Sequence, residues 1–176
     1  MSCPTITQSD FGTLQNGETT QLYTLKNGHG VKIKISNYGG IIVALETLDK
    51  HNNSADIVLG YGDIESYEND PYYLGAIIGR YAGRIDHGLL TINENTYQLE
   101  LNNNDNQLHG GFQALNKQLW QATCTSSTKY VSLILHHTSP DGANGFPGNV
   151  DFKVIYSLSN NNELTIEYFA STDKTT

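Results

Sequence analysis

Apolar and polar residues alternate one by one along much of this chain. Val31, Ile33 and Ile35 alternate with Lys32 and Lys34 in residues 31–36. Val131, Leu133 and Leu135 share one side of residues 130–137, and Phe152, Val154, Tyr156 and Leu158 one side of residues 151–158. Leu164, Ile166, Tyr168 and Ala170 repeat the pattern in residues 163–170. A period of two places successive side chains on opposite faces, so each segment predicts a strand with one buried and one wet face. Residues 21–25, 41–47, 56–59, 89–92, 97–101 and 119–123 read as further strands. Between them lie the turn-forming stretches KNGHG, NYGG, DKHNNS, NENT, SPDGANGFPGN and SNNNE. Apart from one short helical turn expected at residues 63–68, no stretch has helical periodicity. Strands joined by turns predict an all-β, antiparallel fold, a sandwich or a barrel. No repeat or linker divides the chain, so residues 1–176 are expected to form a single domain. The last strong strand is followed by STDKTT with no closing element, so if the sheet continues in a longer protein this end is expected to expose an unpaired edge.

Charge narrows the partners. The formal net charge is −8 and the pI about 5.0, which argues against nucleic acid or an anionic membrane as a partner, since both need a positive field. The start, MSCPTITQSDFG, lacks the charged and apolar regions of a leader, and no apolar run reaches the roughly 20 residues of a membrane span. Cys3 and Cys124 are too few for a disulfide framework and read as free thiols. A cytoplasmic location is the expectation.

Candidate chemistry centres on DNQLHGGFQALNKQLW, residues 105–120, where His109 stands directly before a glycine pair in a polar loop. Glycines let another group approach the backbone closely, so the imidazole could face a polar ligand or belong to an ordinary turn. The stretch GRYAGRID adds Arg80 and Arg84, in a chain with only 10 basic residues. They could pair with acids, or present their donors to the hydroxyls or carboxylates of a ligand. Tyr61, Tyr67, Tyr72, Tyr73 and Phe112 could supply a platform for a sugar ring or simply core. The remaining histidines sit in turns or, for His136 and His137, on opposite faces of one strand, so no metal site is expected. No nucleophile elbow, phosphate-cradling loop or dinucleotide fingerprint is present, and no cofactor is expected.

Taken in order, NYGGIIVALETLDKHNNSADIVLGYGDIESY, then YYLGAIIGRYAGRIDHGLLTINENTYQLELNNNDNQLHGGFQALNKQLW, then SPDGANGFPGN, resemble the aldose 1-epimerases, the galactose mutarotases. The pattern GR-x-A-x-RI, with its second arginine 25 residues before the histidine of LHGG, carries much of that likeness. The resemblance implies a mutarotase-like β-sandwich about twice this length, with an aldose such as galactose or glucose in an open cleft. It implies that His109 contacts the sugar near its ring oxygen, that Arg84 binds hydroxyls, and that Gly110 borders the substrate. Arg80 matches a position that looks structural, Gly83 stands where many members carry Asn, and Asn116 where Asp is common. The family's second histidine, a sugar-binding aspartate and the base glutamate have no counterpart in these 176 residues. The resemblance therefore implies weak or no catalysis by this chain alone, with a complementary C-terminal half or a second chain completing it. The alternatives are a non-catalytic carbohydrate-binding module and an inactive fragment.

Overall fold

The computed structural model describes residues 3–176; Met1 and Ser2, where the stretch read for a leader begins, lie outside them. Strands β1 (Thr5–Thr13), β2 (Thr19–Lys26), β3 (Lys32–Ser36), β4 (Ile42–Leu48) and β5 (Ser54–Asp56) pair in that order as one antiparallel sheet. Helix α1 (Ile64–Glu68) follows, capped by the Asp63 carboxylate, which accepts from Ser66 N at 2.8 Å. Four short strands come next: β6 (Arg84–Ile85) pairs with β9 (Gln107–Leu108), and β7 (Leu89–Ile92) with β8 (Asn95–Gln98). Strands β10 (Gln121–Ser126), β11 (Tyr130–Ser139), β12 (Val150–Ser159) and β13 (Leu164–Thr172) form a second antiparallel sheet in chain order, with β13 at its edge.

The two larger sheets face each other across one core. Tyr23 and Leu25 of β2 and Ile33 and Ile35 of β3 meet Val131, Leu133 and Leu135 of β11 and Val154, Tyr156 and Leu158 of β12. All of these but Tyr23 and Leu25 are residues that the alternation assigns to one face; on β13 Leu164 and Ile166 pack against the same core, whereas Tyr168 and Ala170, expected on that face, are exposed. Each such side chain withdrawn from water contributes about 1.5–3 kcal/mol, which is what holds the sheets together. A second cluster, Leu14, Tyr38, Ile41, Ile64 and Tyr67, fills the space under the long β5–β10 connection. It absorbs Tyr67, whose ring meets Tyr61 edge-on at 5.1 Å, so these two tyrosines are core rather than platform.

Several expectations shift by a few residues, and the reasons are local. Residues 57–59 are not a strand. The Asp56 carboxylate accepts from Leu45 N and Val58 N, at 3.0 and 3.1 Å, and turns the chain away, leaving Ile57 and Leu59 exposed. β8 begins two residues before the expected 97–101. β10 begins two residues after the expected 119–123, because Leu119 and Trp120 are drawn into the two clusters. β1 is not foreshadowed by alternation, since as an edge strand it is mostly exposed and carries an irregularity between Asp10 and Gly12. Cys124 lies in β10, and both thiols are free and exposed. No helix among the described residues is long and apolar enough to cross a membrane.

The turn between β3 and β4 anchors the functional region. Gly39 N donates to Gln118 O at 2.8 Å, Ile77 N to Gly39 O at 2.9 Å, and Trp120 N to Asn37 O at 2.8 Å. From the opposite sheet the buried Tyr156 hydroxyl donates to Gly40 O at 2.7 Å. The segments before Arg80 and after His109 are therefore both tied to the sandwich.

Candidate functional site

The small β6–β9 ribbon brings Arg84 and His109 together. Arg84 pairs with Leu108 in the ladder, and one residue beyond, Gly83 and His109 clasp each other twice. His109 N donates to Gly83 O at 3.0 Å, and Gly83 N donates to His109 Nδ1 at 3.1 Å. Because Nδ1 accepts, it carries no proton in the neutral ring, and the proton resides on Nε2. Burial, and then the neighbouring Arg84 charge, hold the imidazole below its ordinary pKa. His109 is thus a neutral ring at neutral pH that offers an Nε2–H donor.

Arg84 is exposed and is steered by one contact, its Nε donating to Asn103 Oδ1 at 2.9 Å. Its terminal nitrogens make no hydrogen bond among the described residues, so the outer edge of the guanidinium fork remains open to a ligand. Asn102 supports the same ribbon from its side chain, accepting from Leu108 N at 2.6 Å and donating to Leu108 O at 2.9 Å. Neither Asn102 nor Asn103 is singled out by sequence reasoning. The Asn run immediately upstream of Gln107 was the available signal, since asparagine side chains commonly bond nearby backbone.

Arg80 behaves differently. Its guanidinium is spent on the protein: Nε donates to Ser139 Oγ at 2.9 Å, Nη1 to Pro147 O at 2.9 Å, and Nη2 to the carbonyls of Ser139, Pro140 and Gly148 at 2.8–3.0 Å. It ties the β11–β12 connection to the segment leading into β6, whereas the Arg84 guanidinium is left exposed.

The glycine pair owes its composition to this protein's own chain. Gly110 is buried with φ 98°, and a Cβ there would run into the Gly79 carbonyl. Gly111, φ 105°, would place a Cβ 2.8 Å from the Asn144 side chain. The pair lets three segments cross immediately after His109. Behind it a depression of about 260 Å³ is lined by Gly79, Arg80, Gln113, His137 and Asn144, among others, and takes in neither Arg84 nor His109. His109 and Arg84 instead occupy an open surface, with Tyr73 against the imidazole and Tyr81 exposed nearby beside Gly83. Tyr72 and Phe112 are exposed as well.

An exposed guanidinium and a neutral imidazole donor with Tyr73 against it can hydrogen-bond a polyhydroxylated ring. The sequence profile of the Aldose 1-epimerase family matches residues 21–176. The chain belongs to the aldose 1-epimerase family. It is 35% identical over 172 residues to the galactose mutarotase of Bos taurus, covering 97% of this chain and 48% of that protein. It is 31% identical over 159 residues to the aldose 1-epimerase of Escherichia coli K12, covering 90% of this chain and 45% of that protein. Among solved structures, the galactose 1-epimerase of Lactobacillus acidophilus superposes with a TM-score of 0.86 at 27% identity, over 98% of this chain and 50% of that one. The chain therefore spans about half the length of the aldose 1-epimerases it matches. The fold is the family's all-β, antiparallel mutarotase-like architecture.

Proposed function

We propose that residues 1–176 act as one incomplete mutarotase-like domain, the sugar-orienting part of an aldose 1-epimerase site. Such a site interconverts the α and β anomers of aldohexoses such as galactose and glucose. The observation that carries the reading is the Gly83–His109 clasp beside the open face of Arg84, which fixes one hydrogen-bond donor at Nε2 and a second at the guanidinium.

Anomer exchange needs a base to take the proton of the anomeric hydroxyl and an acid to give one to the ring oxygen as the C1–O bond breaks. Rotation about C1–C2 and reclosure on the other face complete it with the roles reversed. A neutral imidazole held below its usual pKa does not deliver a full proton. It donates from Nε2 to the ring oxygen and stabilises the negative charge that develops there. Arg84 holds neighbouring hydroxyls, and Gly110 shapes the turn that aims His109. Each positioned proton-transfer group is worth about 10²–10⁴-fold in rate. The base and the charged acid are assigned to chain beyond these residues, a complementary C-terminal half or a second chain. Of three carboxylates that could substitute, Asp141 is engaged with Lys174 at 2.9 Å and Glu68 with Gln15 N at 3.1 Å, while Glu65 stands in the first turn of α1.

The test pairs binding with turnover. Titration of the chain with D-galactose, followed by NMR, is expected to show saturable binding that His109→Ala or Arg84→Ala weakens by tenfold or more, on the order of 1.4 kcal/mol. Polarimetry of freshly dissolved α-D-galactose is expected to show the buffer rate with the chain alone. Acceleration by the chain alone would place a base within these residues, and a flat titration would remove the sugar-binding reading.

A further inference from the structure

Two side chains at this surface are presented from backbone that side chains seldom adopt. Tyr73 has φ 59° and His109 has φ 53°, both in the left-handed region that non-glycine residues enter only at a cost. Their rings meet edge-on, centroids 4.9 Å apart and planes at 71°, inside the range that aromatic pairs prefer. Tyr73 belongs to neither hydrophobic cluster, although its neighbours Leu74 and Ala76 pack against the second. Filling the core therefore does not account for where it sits.

The turn that carries Tyr73 is rigidly held. The Asp70 carboxylate accepts from Tyr72 N at 2.8 Å and Leu74 N at 2.7 Å. Ile42 N donates to Gly75 O at 2.9 Å, and a Cβ at Gly75 would run into the Ile42 carbonyl. His109, by contrast, is oriented at Nδ1 by one hydrogen bond, from Gly83 N. With Cβ held on the backbone and Nδ1 held by one bond, the ring can still tilt about the Cβ–Nδ1 line, and a second contact on the ring restrains that tilt.

We propose that Tyr73 is the positioning residue for His109: its ring, held by the Asp70 turn, sets the imidazole plane so that Gly83 N stays on Nδ1 and Nε2–H points at the ligand. The role belongs to the ring and not to the hydroxyl. It rests on the sugar-binding reading only for its consequence in affinity, because the orientation itself is a property of the free chain.

Long-range ¹H–¹⁵N NMR of the His109 ring in the 176-residue chain tests it without ligand. The wild-type ring should show an unprotonated Nδ1 and a protonated Nε2, with cross-relaxation between the ring protons of Tyr73 and His109. Tyr73→Phe should keep both signatures. Tyr73→Leu should average the two nitrogens, shift the Gly83 amide, and weaken D-galactose by about 2- to 12-fold, the equivalent of one aromatic pair. Unchanged nitrogens and Gly83 amide in a folded Tyr73→Leu chain would overturn the proposal. So would the absence of Tyr73–His109 cross-relaxation in the wild type, which needs no variant to fold. If the wild type binds no galactose, the sugar-binding reading fails, and the nitrogen signature still decides the role of Tyr73.

Discussion

Replacing Gly110 with alanine is a sharp test of how the site is assembled. Two costs add. At φ 98° an L-residue is strained, by about 1–3 kcal/mol. The new methyl would also run into the Gly79 carbonyl, and backbone cannot swing aside as a side-chain tip can. Overpacking of that kind costs about 1–3 kcal/mol. The sum, roughly 2–6 kcal/mol, is a large share of the 5–15 kcal/mol that a domain usually has. At about 2–4 °C per kcal/mol for a chain of this size, the melting temperature should fall by roughly 4–24 °C. Gly17→Ala is the control, because Gly17 also has positive φ, 89°, yet a Cβ there meets nothing within 4 Å. It carries the strain without the collision and should cost only about 1–3 kcal/mol. Thermal unfolding by circular dichroism, with urea titration for the free-energy scale, separates the two. If Gly110→Ala melted within 2 °C or so of Gly17→Ala, the close crossing at Gly79 would not be what requires a glycine there.

Two further outcomes are expected. Arg80→Ala should destabilise the fold by about 3–5 kcal/mol in urea titrations, because it strips buried carbonyls of Ser139, Pro147 and Gly148 of their charged donor. Arg80→Lys should recover only part of that, since one ammonium cannot span the same set of acceptors. Stability should also fall as the solution is acidified below about pH 6.5. His109 and His137 both have folded pKa values lowered, His109 by burial and the Arg84 charge and His137 by burial, so the unfolded chain takes up protons first. The loss develops from the unfolded value down to the lowered folded one. Urea midpoints across that range should drop in the wild type and flatten in a His109→Gln/His137→Gln double variant, and an equal drop in both would refute the assignment.

The comparison of sequence with structure divides along physical lines. Alternation records which face of a strand is buried, and this is a local property, so the core residues Ile33, Ile35, Leu133, Leu135, Val154 and Tyr156 were legible without coordinates. So was helix α1, whose Asp63 cap bonds a residue only three positions away. Edge strand β1 was not, because an edge buries too little to imprint a pattern, and the apolar run after Asp56 misled because hydrophobicity was present without a partner strand. The family too could be read from ordered motifs. What the chain alone left open were the roles within those motifs. Arg80 and Arg84 stand four residues apart in one string, yet one is consumed by carbonyls about 60 positions away and the other faces solvent. The need for glycine at both positions of the pair was equally open, and it is Gly79 and Asn144 that occupy the space a side chain would need. Tyr73 meets His109 from 36 positions away in the sequence, and Gly83 from 26 positions away. Contacts of that separation are fixed by how the loops are pinned to the β3–β4 turn, and only the folded molecule brings them together.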